Sequence, residues 1–343
     1  LPAGLAFRPA GTGTAAGPLA KAWFDWRISA SLGEGAFDVV WTRDPLAVVS
    51  SVRRRLPVVF ETYRPDFASA ARFGPWRRAC LGSPHLRGVV THSRVAAAAF
   101  LAAGVPGEQC LIAHNGFAPS LMEPRLDRAE ARARLGLPLN EALVVYTGHV
   151  GSEKGTDALV RIAAAVPHAR MVIVGVEPGS REAAWLEARR SQAGAGNLLL
   201  VPRVPLAGVA AYLYAADCLI VPPTTTPLRA GRTVLPMKIF TYMAAGRPIL
   251  APRLPDVEEV LVDGRTACLV APDDVPAAAS ALARLLGDGK LRGQLGRSAF
   301  EAASDYTWQA RARRLRDFLS KLGQPRAAGG ADGSTPTFTA IPI

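Results

Sequence analysis

The sequence predicts an α/β fold built from doubly wound parallel sheets, in two domains. Short apolar runs alternate with longer helical patterns along almost all of the 343 residues. The apolar runs are continuous rather than strictly alternating, as strands buried on both faces of a parallel sheet require. The length is too great for one small core and suits two domains of ordinary size.

Taken in order, the chain opens on LPAGLAFRPAGTGTAAGP, rich in Gly, Pro and Ala and without a convincing first strand. Strands are predicted at 38–41, 57–61, 88–91 and 110–113, with helical spacing over 94–103. A break follows across 115–140, where the loop-like NGFAPSLMEP precedes a polar helix at 127–135. The domain boundary is placed at residue 118. The second half carries strands at 143–147, 170–175, 197–201, 217–221, 247–251 and 267–270, with helical patterns at 156–166 and 275–286. The first half has four strands against these six, and residue 1 is Leu. We therefore expect 1–118 to lack its start, leaving a neighbouring strand with an unpaired edge. Residues 119–305 form the second domain, 306–322 a further helix, and 323–343 a tail expected to be disordered.

Composition narrows the function classes. Hydrophobic residues at 49% and charged residues at 20% exclude wholesale disorder. Forty Lys and Arg against 28 Asp and Glu leave +12, which favours anionic partners. Aromatics are only 7%, and none interleave with Arg53-Arg54-Arg55 or Arg77-Arg78, which argues against nucleic acid. No apolar run approaches the ~18–20 residues of a membrane span, and no signal-peptide pattern is visible. Cys80, Cys110, Cys218 and Cys268 lie far apart, so neither a disulfide framework nor structural zinc is expected. A reduced cytosol is the compartment this implies.

In doubly wound sheets, ligands bind beyond the carboxyl ends of strands, where glycine and helix N-termini receive anions. After 143–147 comes Gly148-His149-Val150-Gly151-Ser152-Glu153-Lys154-Gly155 and then a helix. This reads as a diphosphate cradle or as a Gly-rich turn with a solvated lysine. After 217–221 comes PPTTTPLRAGRTVLPMKIFTYMAAGRPILA, holding Arg229, Gly231 and Arg232. Pro236 fits the first turn of a helix, and Lys238 sits in that turn. A cation is unfavourable there unless an anion is bound; a tolerated surface lysine is the alternative. Thr241 lies three residues on, on the same helix face. No Asp-x-Asp occurs, so a metal-bridged diphosphate is not indicated.

YTGHVGSEKG, MVIVG, AAYLYAADCLIVPP, LPMKIFTYMAAGRPILA, DVEEVLVDG, LVAPDD and YTWQARARRL follow one another in that order. This string resembles the donor-binding half of the glycosyltransferase family 4 enzymes over residues 86–322. DVVWTRDP, VVFETYRPD, VVTHSR and IAHNGF resemble the first half more loosely. The resemblance implies a GT-B fold, with two Rossmann-like domains facing across a cleft and the 306–322 helix crossing back toward the first. It implies a retaining transfer from a nucleotide-diphosphate sugar, with no cofactor and no metal. Gly148, Gly151, Lys154 and Lys238 would line the diphosphate, the two lysines easing departure of the leaving group. Arg203 and Val204 would face the nucleobase, Arg232 and Thr233 would belong to the donor loop, and Glu259 would pack in the helix after 247–251. His92 in THSR is the acceptor-side candidate; a structural histidine is the other reading.

This sequence departs from the family at three places. The two glutamates usually found seven residues apart, the second on the ribose diol, are Thr233 and Thr241 here. A carboxylate's charge-assisted bonds are worth roughly 1.5–3 kcal/mol, against about 0.5–1.5 for a neutral hydroxyl. That keeps open a non-catalytic nucleotide-sugar-binding homologue or partner subunit. His149 stands where Arg is common. For the family's opening strand and glycine loop, GTGTAAG at 11–17 offers a Gly-x-Gly but follows no apolar strand, and an ordinary loop is the favoured reading. An epimerase of the same fold would need cleft-facing acid and base groups that the sequence does not display. The acceptor implied is a carbohydrate or lipid-linked hydroxyl, with peripheral contact to the anionic inner membrane face through the Arg-rich surfaces.

Overall fold

The computed structural model describes residues 38–69, 74–226, 235–323 and 339–340. GTGTAAG, Arg72, Arg229, Gly231, Arg232, Thr233 and most of the tail lie outside the described residues. The chain divides into two compact units: Leu1–His114 with Ala312–Ile343, and Asn115–Arg311.

In the first unit, strands β1 (Val40–Thr42), β2 (Val58–Thr62), β3 (Leu86–Thr91) and β4 (Cys110–Ile112) lie side by side in that order, all parallel. Parallel neighbours need crossover helices, and the sequence supplies well-capped ones. Helix α1 (Pro45–Arg53) starts with Pro45 at its first position and the Asp44 carboxylate accepting from the Leu46 amide at 2.7 Å. Short helices α2 (Asp66–Ser69) and α3 (Gly74–Leu81) follow β2. Helix α4 (Arg94–Ala102) is capped by Ser93, which accepts from the Ala96 amide at 3.1 Å. The strand pleat sends Val58 and Phe60 to one face, where Phe60 meets Phe67 and Phe100 edge-on at 5.4 and 6.0 Å. Val59 and Val90 bury the other face. The edge expected to be bare is covered: Thr339–Ala340 pair in parallel with Val40 and Trp41.

The second unit carries β5 (Ala142–Thr147), β6 (Ala169–Val176), β7 (Leu198–Pro202), β8 (Cys218–Ile220), β9 (Ile249–Pro252) and β10 (Cys268–Val270). Their order across the sheet is β10-β9-β8-β5-β6-β7, all parallel, the arrangement of a dinucleotide-binding fold. The connecting helices are α5 (Arg128–Leu135), α6 (Thr156–Ala165), α7 (Arg181–Ala193), α8 (Leu206–Ala215), α9 (Lys238–Ala245), α10 (Val275–Gly287) and α11 (Gly289–Ala303), followed by α12 (Trp308–Gly323). Leu143 and Val145 pack with Leu213, Phe240 and Tyr242 on one face. Val144 and Tyr146 pack with Leu159, Ile162 and Leu282 on the other. Beyond residue 311, α12 belongs to the first unit, where Phe318 packs with Val59 and Val90. Gly88 gives it room: a side-chain carbon there would lie 2.8 Å from the Phe318 ring.

One buried polar strut holds α5 to this sheet. Arg132 is 1% exposed and donates to the carbonyls of Ala215, Leu139 and Glu141 at 2.9, 2.7 and 2.9 Å. Its remaining nitrogen meets the Asp217 carboxylate at 2.6 Å, and the same carboxylate oxygen accepts from the Leu143 amide at 2.9 Å. Arg128 binds the other oxygen.

All ten predicted strands of the two halves are present, their ends within two residues of the expected ones. The helix expected to carry Glu259 is absent: the segment after β9 is a run of turns. Pro255 has no amide to donate, and Asp256 takes the Val257 amide at 3.1 Å, so both compete with a helical ladder.

Candidate functional site

Strand order in the second unit reverses beside β5, so the loop that leaves β5 opens at the switch point where such sheets receive ligands. Gly148 takes φ 135° there and donates to the Val174 carbonyl at 2.9 Å. Gly175, at φ 118°, comes so close that a side-chain carbon on it would clash with the Gly148 carbonyl oxygen. A carbon on Gly148 would stand 2.8 Å from the Lys238 amine. Gly175→Ala is therefore expected to destabilise the unit by about 1–3 kcal/mol through overpacking against backbone. Strain at its positive φ adds to that cost. A fall in the urea midpoint, with weaker binding of inorganic pyrophosphate, checks this.

Lys238 opens α9, after a turn in which the Ile239 amide donates to the Pro236 carbonyl at 3.0 Å. Its amine lies 3.6 Å from the centre of the Tyr146 ring, a cation–π contact. Tyr146 is 1% exposed and its hydroxyl donates to the His149 carbonyl at 2.7 Å, tying ring and loop together. Tyr242, on the next turn of α9, accepts the Thr147 amide on its hydroxyl at 2.8 Å. Part of the Lys238 side chain reaches solvent, yet burial of its amine, helped by the charge of Lys154, pushes its pKa down to about 7. The helix N-terminus adds a positive potential of its own.

Lys154 ends the short turn Ser152–Lys154, set between Gly151 at φ 146° and Gly155 at φ 67°. The Thr156 hydroxyl braces this turn, accepting from the Gly151 amide at 3.1 Å and reaching its carbonyl at 3.2 Å. Next to it a cavity of about 210 Å³ is lined by Gly148, His149, Arg203 and Val204, with Leu206 and Val209 as apolar wall. The Arg203 amide is held by the Val176 carbonyl at 3.1 Å, which fixes the backbone facing the cavity. Thr241 stands one turn from Lys238, and its hydroxyl donates to the Lys238 carbonyl at 2.9 Å. Its proton is spent within the helix.

The structure thus brings Gly148, His149, Arg203 and Val204 to one cavity, with Lys238, Lys154 and Gly151 around its glycine loop, while the contact of Thr241 is with Lys238 inside its own helix. Arg232 and Thr233 lie outside the described residues. His92 belongs to the other unit, at the carboxyl end of β3, where its Nε2 meets Glu61 at 2.9 Å. The second Glu61 oxygen accepts from the Trp41 ring nitrogen at 2.8 Å. Arg43 and Arg64 lie 5.1 and 5.6 Å from the Tyr63 ring beside them. Among the described residues no three His, Cys, Asp or Glu side chains converge as metal ligands, and no helix is long and apolar enough to cross a membrane.

Sequence reasoning passed over Tyr146, Tyr242 and Gly175. A signal existed for the tyrosines: each falls on a buried face, and a buried phenol needs a hydrogen-bond partner. Gly175 was assigned to a strand end without its contact being visible.

Residues 141–288 match the family model described as "Glycosyl transferases group 1". A D-inositol 3-phosphate glycosyltransferase of Xylanimonas cellulosilytica is 29% identical over 215 residues, 62% of this chain and 50% of that protein. The enzyme of the same name from Acidothermus cellulolyticus is 32% identical over 193 residues, 53% of this chain and 41% of that protein. The chain spans about half the length of the curated relatives it matches. In solved structures, HepE of Anabaena in complex with UDP superposes with a TM-score of 0.73 at 18% identity, covering 87% of this chain and 82% of that one. Sucrose-phosphate synthase from Thermosynechococcus elongatus gives 0.71 at 21% identity, covering 91% and 82%. Both support the fold alone, two parallel-sheet α/β units of the GT-B type. Residues 141–288 of this chain thus resemble the group 1 glycosyl transferases, and the chain has a fold of the GT-B type.

Proposed function

We propose that this chain transfers a sugar from a nucleotide-diphosphate sugar to an acceptor hydroxyl, with retention and without metal. The observation that carries this reading is Lys238. It opens a helix at the sheet's switch point, against Gly148 and near Lys154, with its charge disfavoured by burial and by Lys154, both of which an anion would offset. A diphosphate supplies that anion. The cavity lined by His149, Arg203 and Val204 takes the nucleobase beside it.

In the transfer, the bond between the anomeric carbon and the diphosphate oxygen breaks while the acceptor oxygen bonds to the same carbon. The acceptor attacks from the face the diphosphate leaves, and its proton passes to the departing phosphate oxygen. Lys238 and Lys154 neutralise the charge that grows on that oxygen, so no protein carboxylate is needed as nucleophile. On the acceptor side, His92, held by Glu61 at the carboxyl end of β3, is the contact for a sugar or lipid-linked hydroxyl. The net charge of +12 and the exposed Arg53, Arg54 and Arg55 suit peripheral contact with an anionic membrane at the cytoplasmic face.

A specific observation favours a second reading, a nucleotide-sugar-binding homologue without turnover. The Thr241 hydroxyl is bonded within α9, where a ribose diol would want a carboxylate. Thermal shift with UDP, GDP, ADP and TDP, against inorganic pyrophosphate, tests the donor site. One nucleotide at 100 times its dissociation constant should stabilise the folded state by about 2.7 kcal/mol. No response beyond pyrophosphate sinks the donor reading. Stabilisation without release of the nucleotide from its sugar in the presence of acceptor selects the second reading.

A further inference from the structure

Asp273 is an aspartate where the backbone asks for glycine. It sits at φ 63° in the turn between β10 and α10, the left-handed region that side chains seldom enter. In that conformation its carboxylate meets the loop that leaves β8. One oxygen accepts from the Thr224 hydroxyl at 2.7 Å and from the Thr225 amide at 3.1 Å, and the other from the Thr225 hydroxyl. Its own amide donates to the Pro223 carbonyl at 2.8 Å. Thr224 is 5% exposed, and its hydroxyl also bonds that of Thr226 at 2.8 Å. Three consecutive threonines are thereby gathered onto one turn.

The other side of Thr224 faces the glycine loop. A side-chain carbon on Gly155 would overlap the Thr224 methyl, so the left-handed Gly155 backbone rests directly on it. Gly155 closes the turn that bears Lys154, its amide donating to Ser152 at 3.0 Å while the Lys154 amide donates to Gly151 at 3.1 Å. The contacts form one path: the Asp273 carboxylate holds Thr224, Thr224 abuts Gly155, and Gly155 fixes Lys154.

We propose that Asp273 is a positioning residue for Lys154, clamping the loop after β8 against the glycine loop so that the lysine is set for an anionic ligand. The proposal deepens the donor-site reading and rests on it for the ligand. Backbone strain is what the clamp costs, and four hydrogen bonds on a single residue offset it.

Asp273→Gly removes the carboxylate and relieves the backbone, so the fold is retained. Hydrogen exchange on the unliganded protein reads the clamp itself. The amides of Lys154 and Gly155 should lose about tenfold of their protection while those of β5 keep theirs. Asp273→Asn, which tolerates the same φ and keeps one accepting oxygen, should restore most of it. Calorimetric titration with inorganic pyrophosphate reads the consequence. Affinity should fall about 5–10-fold in Asp273→Gly, and the Asp273→Gly/Lys154→Ala double variant should bind no more weakly than Lys154→Ala alone.

Unchanged exchange at Lys154 and Gly155 overturns the clamp. Wild-type pyrophosphate affinity in Asp273→Gly, or losses that simply add in the double variant, overturns the link to Lys154. If the unmodified chain binds neither pyrophosphate nor UDP, the donor-site reading falls instead, and the exchange result still decides whether Asp273 holds the loop.

Discussion

Lys238→Ala will lose roughly 10- to 150-fold in nucleotide affinity, with sugar transfer falling at least as far. A charge-assisted hydrogen bond is worth about 1.5–3 kcal/mol, and partial burial beside the Tyr146 ring places this one toward the upper end. If the lysine also neutralises the leaving group, kcat falls as well as KM rising, which separates a catalytic contact from uniform binding. Thermal stability should hold or rise, because an amine pushed down to about 7 by burial and by Lys154 is itself a cost to the folded state at neutral pH. The folded chain prefers this amine neutral, whereas the unfolded chain holds it charged up to its ordinary value of 10.5. Its cost to stability is therefore full below pH 7 and fades as pH rises toward 10.5.

A bound diphosphate reverses that preference, so binding draws a proton from solvent. Between pH 7 and 9, where the phosphates are already ionised, nucleotide affinity should fall as pH rises. Calorimetry in buffers of different ionisation enthalpy should show proton uptake that disappears in Lys238→Arg. Affinity flat across that range in the wild-type chain would exclude Lys238 as the phosphate contact.

Asp217→Asn will destabilise the second unit more than any other single change described above. Burial alone would raise the Asp217 carboxyl, but the Leu143 amide, Arg128 and Arg132 outweigh it and hold it below its ordinary 3.8. Neutralising it strands the Arg132 guanidinium in the core, and breaking a buried pair of this kind costs about 3–5 kcal/mol. Over a unit of this size that corresponds to a drop of roughly 6–20 °C in the thermal midpoint. The double change Arg132→Met/Asp217→Leu should recover much of the loss, since no charge is then left unpaired. Because the folded carboxyl is depressed, its contribution is complete above pH 3.8 and lost as pH falls through the lower folded value. Wild type should therefore shed more stability than Asp217→Asn on acidification below pH 4. Equal acid sensitivity of the two proteins would mean that the pair carries no net stabilisation.

The sheet was legible in the sequence because its strands are continuous apolar runs, a pattern that local composition alone displays. Gly148, Lys154 and Lys238 stood out as candidates for a related reason: glycines and a cation at a helix start are anomalies unless an anion is near. What was not legible depends on distant pairing. Nothing local in IFTYMAAG says that the Tyr242 hydroxyl will meet the amide of Thr147, 95 residues away in sequence. Nor does VAPDD announce that its first aspartate will reach the threonines after β8. The helix that the resemblance implied around Glu259 is a run of turns here, because Pro255 and Asp256 interrupt its hydrogen bonding.

The phenol of Tyr242 bears on how such a protein diversifies. Backbone pairing of β5 with β8 stops at Val145, and a side chain from α9, not another strand, closes the amide at Thr147. On its β8 side the β5 ladder therefore ends before the glycine loop, while on its β6 side it runs on to Thr147. Exchanging the side chains of His149, Arg203, Leu206 or Val209 alters the cavity without breaking a rung of that ladder, so what the cavity accepts can change while the scaffold stays the same.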